Sequence, residues 1–306
     1  SHLEGWDADR FYQYAMGAGS GLADVVEVLI ECFDWTAVDT AKFLADHQRT
    51  PTEIANLLTT LMHEPLDKVV LTLEEIQVSA MDLTTWLRVV MDVPAIKVLE
   101  LYKQTNYTVT DYITSVRIVD DLDEEETTNL MEASFYKLVD IAGVLKDQFK
   151  MSADTIGQFL QDRHYGLDDL ATIYREVYHF SNPVALDTIH RLRVSVDEMG
   201  QLMKRFYGMN QQAILAAMNG YHYSLELITV FYSNYPEISQ QAFMVLMNQA
   251  GYSWSAISGY MRDYLHLDMN AIADLLKLNN LSADQVAEVL KDAFLVPGKV
   301  VVEVLN

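Results

Sequence analysis

Apolar residues recur along the chain at steps that alternate between 14 and 15 residues. Register points fall at Asp7, Gly21, Thr36, Thr50, Pro65, Ser79 and Pro94, and continue with the same alternation to Asp268, Ser282 and Pro297. Eight residues after every point lies an apolar or aromatic residue, from Ala15, Leu29 and Leu44 to Leu276, Leu290 and Leu305. Offset +4 is apolar at most points (Val25, Ile54, Val69, Ile141), and so is offset +7 (Leu57, Trp86, Leu101, Val144). Thr40, Thr127 and Ser115 are among the departures. A turn of 3.6 residues brings these three offsets onto one helix face, whereas an alternating strand would separate +7 from +8. The pattern predicts 21 short helices with a buried +8 column, and no sheet.

The register points also carry the chemistry of helix starts. Ser, Thr, Asp and Asn there can accept from the orphan amides of a first turn. Thr50-Pro51-Thr52-Glu53 combines a cap, a proline at the first helical position and a glutamate that reaches back. Ser195 with Glu198 and Ser282 with Gln285 repeat the arrangement. Helices of about 10–11 residues are too short to persist alone, so packing must hold them. Strict 14/15 alternation makes the unit a 29-residue pair. Its second helix keeps small residues at offset +5, including Ala55, Ala142, Ala171, Gly200 and Ser258, which permits close helix approach. Apolar residues such as Trp35, Val93, Phe180 and Ile238 precede the first helix of the next pair, where they can act as hydrophobic staples.

The expected fold is all-α: an αα-hairpin tandem-repeat solenoid of about ten repeats, a curved superhelix or a closed ring. Residues 6–306 read as a single helical repeat domain, because no Pro/Gly/Ser linker breaks the period. Ser1-His2-Leu3-Glu4-Gly5 has the look of a cloning scar and is left out of the fold reading. An open array would expose Phe11 and Tyr14 at one end and Val301 and Val304 at the other, inviting end-to-end self-association.

Charge narrows the range of partners. With 44 acidic against 21 basic residues the net charge is −23. Phosphate binding needs a Lys/Arg footprint, so nucleic acid is not expected, and neither is an anionic membrane surface. No apolar run is long enough to span a bilayer. Cys32 is the single cysteine, so no internal disulfide forms, and both cytosol and a bacterial surface remain open.

Candidate chemistry is thin. The run Asp120, Asp121, Asp123, Glu124, Glu125, Glu126 lacks the glycine and alternating spacing of a calcium loop, and reads better as a helix start. His47, His63, His164, His179, His190, His222 and His266 show no metal-ligand spacing and read as loop residues. Gly17-Ala18-Gly19-Ser20-Gly21 lacks a following lysine and reads as a helix–helix turn. No catalytic, cofactor or metal residues are assigned, and no cofactor is expected. Tyr107, Tyr136, Tyr165, Tyr223 and Tyr252 recur just before the second helices. As an aligned edge they could hold a partner, because aromatics dominate binding hot spots, or they could serve inter-repeat packing.

Units such as Ser282-Ala283-Asp284-Gln285-Val286-Ala287-Glu288-Val289-Leu290-Lys291, and Gly251-Tyr252-Ser253 opening another, resemble short two-helix repeats of large, poorly characterised bacterial proteins. That resemblance implies a secreted or surface-borne origin for some members and carries no catalytic residues. Tetratricopeptide and ankyrin signatures are missing, and the units vary more than a designed toroid needs. The function expected is a non-enzymatic scaffold or protein-binding segment whose partner is a neutral or basic protein or peptide. A ligand-free spacer or stalk is the alternative, and an enzyme or metal-binding protein comes third.

Overall fold

A computed structural model describes residues 6–305, with side chains to residue 302. The pentapeptide read as a scar, and the side chains of Val304 and Leu305, lie outside the described residues. The chain divides into two compact units between Met151 and Ser152.

The first unit holds α1 (Ala8–Gly17), α2 (Leu22–Phe33), α3 (Ala37–Asp46), α4 (Pro51–Thr60) and α5 (Leu66–Glu75). It continues with α6 (Ala80–Thr85), α7 (Ala95–Tyr102), α8 (Val109–Asp120), α9 (Glu124–Ala133) and α10 (Leu138–Gln148). The second unit begins with α11 (Ala153–Asp162), α12 (Leu167–Glu176), α13 (Asn182–Arg191), α14 (Val196–Arg205) and α15 (Gln211–Gly220). It ends with α16 (Leu225–Asn234), α17 (Gln240–Gln249), α18 (Trp254–Leu265), α19 (Met269–Leu278), α20 (Ala283–Phe294) and α21 (Gly298–Leu305). These are the 21 short helices the period predicts, and no strand occurs among the described residues.

Register points are where the helices start. Thr50, Ser195 and Ser282 stand at N-caps and close complete capping boxes with Glu53, Glu198 and Gln285. Pro65 and Pro94 occupy N-caps too, in extended backbone that a proline ring already favours. Inside the described residues the +8 column is buried without exception, from Ala15 through Leu58, Leu87, Leu145 and Met203 to Leu290. Within each unit a helix packs on its neighbours in sequence and on the helix two further along, which is the contact pattern of a hairpin solenoid.

Small residues stand at offset +5 of most even-numbered helices. Ala55, Thr84, Ala142, Ala171, Thr229 and Ser258 are fully buried. At Gly200 an added methyl would lie 2.2 Å from the Phe231 ring, so glycine here is required by proximity. Ends are handled by one device. A residue at positive φ follows every helix from α1 to α20 except α7 and α16. Most of these residues are not glycine, and their φ values lie between 51° and 67°. The left-handed residue turns the chain and lets the next amides cap the last carbonyls, as in Arg49 N–H to the Leu44 carbonyl at 3.0 Å. After α16, where no left-handed residue stands, the buried Gln211 braces the turn: its Nε2 donates to the Tyr235 carbonyl and its Oε1 accepts from the Glu237 and Ile238 amides at 2.7 Å each.

The ends differ from expectation in part. Tyr14 is 67% exposed and Phe11 half-buried, but Val301 is 1% exposed. Offset +4 of α21 faces back onto α19 and α20, so Val301 belongs to the core of the repeat before it.

Candidate functional site

Each tyrosine of the predicted edge stands directly ahead of an even helix and is half-buried. The Tyr223 hydroxyl donates to the Val194 carbonyl at 3.2 Å, and the Tyr252 hydroxyl to the Tyr223 carbonyl at 3.4 Å. Tyr107 donates to the Val78 carbonyl in the same way. In all three cases the acceptor lies 29 residues earlier, at the same position of the preceding repeat. Tyr136 departs from the rule and donates to the Tyr112 hydroxyl at 2.9 Å. Tyr165 takes the same place ahead of α12. Burial pushes the Tyr107 phenol up to about 12 and raises Tyr136 and Tyr223 as well. The hydroxyls of Tyr107, Tyr136, Tyr223 and Tyr252 are thus engaged inside the protein.

A second column, unnoticed in the sequence reading, does the same with charge. Offset +9 of the even helices is basic at Arg88, Arg117, Lys146, Arg175, Lys204, Arg262 and Lys291. Arg88 reaches forward to Asp120 at 2.9 Å, and Lys204 to Glu237. Arg117 covers the Phe149 ring at 5.2 Å, Arg175 the Phe206 ring at 5.1 Å and Arg262 the Phe294 ring at 5.6 Å. Partly exposed pairs of this kind are worth about 0–1 kcal/mol each, so they set register between repeats more than they supply stability.

The remaining candidates resolve into local structure. Asp123 caps α9 and closes a box with Glu126, while Asp121 is the left-handed residue after α8. His63, His164, His179, His222 and His266 occupy left-handed turn positions, and His47 follows α3. His190 is an exception to the loop reading: it sits in the last turn of α13 and stacks on Tyr221 at 4.8 Å. Gly17 to Gly21 forms the turn between α1 and α2, with Gly19 at φ +86°. Among the described residues no three His, Cys, Asp or Glu side chains are grouped to hold a metal, and no helix is long and apolar enough to cross a membrane.

What remains is surface. Offsets +4, +5 and +8 of the even helices face inward, so +2, +6 and +10 form the outward stripe. In the second unit this stripe is charged on every even helix, as at Asp168, Asp197, Glu226, Asp263 and Asp284. In the first unit it is uncharged over three consecutive even helices. On α4 it reads Thr52, Asn56, Thr60; on α6 and its extension Met81, Thr85, Val89; on α8 Thr110, Thr114, Ile118. Val89 is 68% exposed and Ile118 51%. The threonines are less polar than their names suggest. Thr60, Thr85 and Thr114 donate their hydroxyl hydrogens to the carbonyls of Asn56, Met81 and Thr110 at 2.7, 2.8 and 2.5 Å, so these hydrogens are not free for a partner.

Two features shape this face. Beyond Thr85 the helix widens into a π turn over Trp86–Val90 that carries Val89 outward, and Trp86 is buried with its indole N–H on Asn56 Oδ1 at 2.9 Å. Between α6 and α8 runs an open groove of about 470 Å³, lined by Met81, Tyr107 and Thr110 together with the polar Ser79, Asp111 and Gln148. Tyr107 therefore joins the edge column to the uncharged face.

Compared with known proteins, the chain matches no family model and no curated protein.

Proposed function

We propose that the chain is a non-enzymatic α-helical repeat scaffold that binds a neutral or basic protein or peptide. The observation that carries this reading is the uncharged outward stripe of α4, α6 and α8 in a chain of net charge −23. Leaving surface uncharged has no benefit for solubility, and exposed apolar patches are the usual mark of an interaction site. The shallow groove beside it suits an extended polymer better than a small molecule, which favours an enclosed cavity. A ligand-free spacer is the second reading. It draws on the 29-residue tyrosine bonds, which stiffen one repeat against the next whether or not anything binds.

Selection from a random peptide library tests the proposal. The expected result is saturable binding by peptides that are neutral or basic and compete with one another. Their association should slow as salt rises, since exposed charge is screened over about 8 Å at physiological ionic strength. No saturable peptide, a preference for acidic ones, or tight binding to duplex DNA would overturn it.

A further inference from the structure

We infer that the face formed by α4, α6 and α8 is the docking site, and that its partner is an amphipathic helical segment with an apolar stripe flanked by Lys or Arg. The inference rests on the binding reading above and assigns it a place and a chemistry.

The centre of the face calls for apolar side chains. Val89 and Ile118 project from adjacent helices at the same offset, and the hydroxyls of Thr85 and Thr114 are already spent on their own helices. A Leu or Val of the partner would cover Val89, Ile118 and, in the groove beside them, Met81 and the Tyr107 ring, while Ser79, Asp111 and Gln148 of the same groove can take a polar or cationic group.

The rim calls for cations. Exposed Asp82 and Asp111 border the side where α6 and α8 begin, and exposed Asp92 and Asp121 the side where they end. Glu27 and Glu31 on α2 and Asp147 on α10 close the two remaining sides, all exposed. The basic residues nearest the face do not offset this ring. Arg88 is paired with Asp120, and Arg117, over the Phe149 ring, is one cation against the seven carboxylates of the rim. A second copy of the chain is a poor occupant, because a self-contact would oppose two acidic rims around the same small patch.

Size selects the form of the partner. Three neighbouring helices span about 20–30 Å at 9–10 Å apart, and the stripe is about 12 Å wide at 1.5 Å per residue. That footprint fits one helix of about 15–20 residues lying across the row, well short of the roughly 800 Å² per side of a standard globular interface.

The test uses the full chain and a labelled 18-residue peptide with a Leu/Val stripe flanked by lysines, followed by fluorescence anisotropy. Two further peptides serve as references, one of the same composition with the period scrambled and one with Glu replacing Lys. Val89→Glu with Ile118→Glu is compared with a charge-matched control on the second unit, Leu227→Glu with Asn234→Glu. All four positions are exposed, so folding should survive, and circular dichroism checks it. The expected outcome is micromolar binding of the patterned peptide, weakened about tenfold or more by the first pair and less than about twofold by the control. Added glutamates should attract lysines, so a loss reports the apolar contact and not charge. Equal binding by both variants would place the contact elsewhere and overturn this inference while leaving a binding scaffold standing. Saturable binding by no peptide would overturn both readings. Equal binding of the scrambled peptide would remove the helical partner.

Discussion

At the residue scale, the tyrosines show how a feature can be legible without its role being legible. Their spacing ahead of the even helices is plain in the sequence, but a phenol that reaches one repeat back looks the same as one that faces a ligand. Burial is what separates the cases, and it has a consequence for pH. Burial holds the Tyr107 and Tyr207 phenols up to about 12 and raises Tyr102 and Tyr174 further. Because the neutral form is the one favoured in the folded protein, stability is intact below the ordinary tyrosine value near 10. Above it the unfolded chain sheds protons that the folded chain keeps, so stability should fall steeply from about pH 10 to about pH 12. Absorbance at 295 nm should then show these phenols ionising together with loss of helicity. Smooth ionisation of every tyrosine near pH 10 in a folded protein would contradict their burial.

At the element scale, starts were legible and ends were not. Starts follow side-chain chemistry, since a Ser, Thr or Asp oxygen at a register point meets an orphan amide wherever the helix forms. Ends depend on a left-handed residue, and glycine or asparagine would normally advertise it. Here Gly or Asn holds the position only at Gly19, Gly208, Gly251 and Asn280; elsewhere stand Asp and His residues and even Gln48, Lys150, Arg193 and Phe135, so the signal is diffuse. The π turn after Thr85 is equally silent, because its 15-residue step is the same as that of the other even-numbered helices. The uncharged stripe could have been read from the sequence as the complement of the buried offsets; an absence of charge draws less notice than a cluster of it. The turns also make a prediction. Phe135 is 92% exposed at φ 59°, so its ring contributes little while its β-carbon strains the backbone. Left-handed strain costs about 1–2 kcal/mol, and glycine's extra unfolded-state entropy returns about 0.5–1 kcal/mol of that. Phe135→Gly should therefore stabilise the protein, by up to about 1 kcal/mol in chemical denaturation. A loss of stability would mean that the ring makes a contact of consequence.

At the scale of the whole molecule, the central claim is that each 29-residue pair is held only by its neighbours. The +8 column, the +5 column, the tyrosine bonds and the basic column all repeat with that period, and each breaks if one helix is lost but not if a pair is lost. Surface charge acts on a different level: it bears on solubility and on partners, and the fold would tolerate its redistribution. The most direct measurement removes one pair from the second unit. Deleting residues 181–209 takes out α13 and α14, 29 residues in all, and joins Phe180 to Asn210 in register. Deleting only 181–194 takes out α13 alone and sets two even helices side by side in sequence. Far-ultraviolet circular dichroism through a thermal scan is the readout. The account predicts that the 29-residue deletion keeps the parent's helicity per residue and a cooperative transition, while the shorter deletion loses both. Equal damage from the two deletions would contradict it.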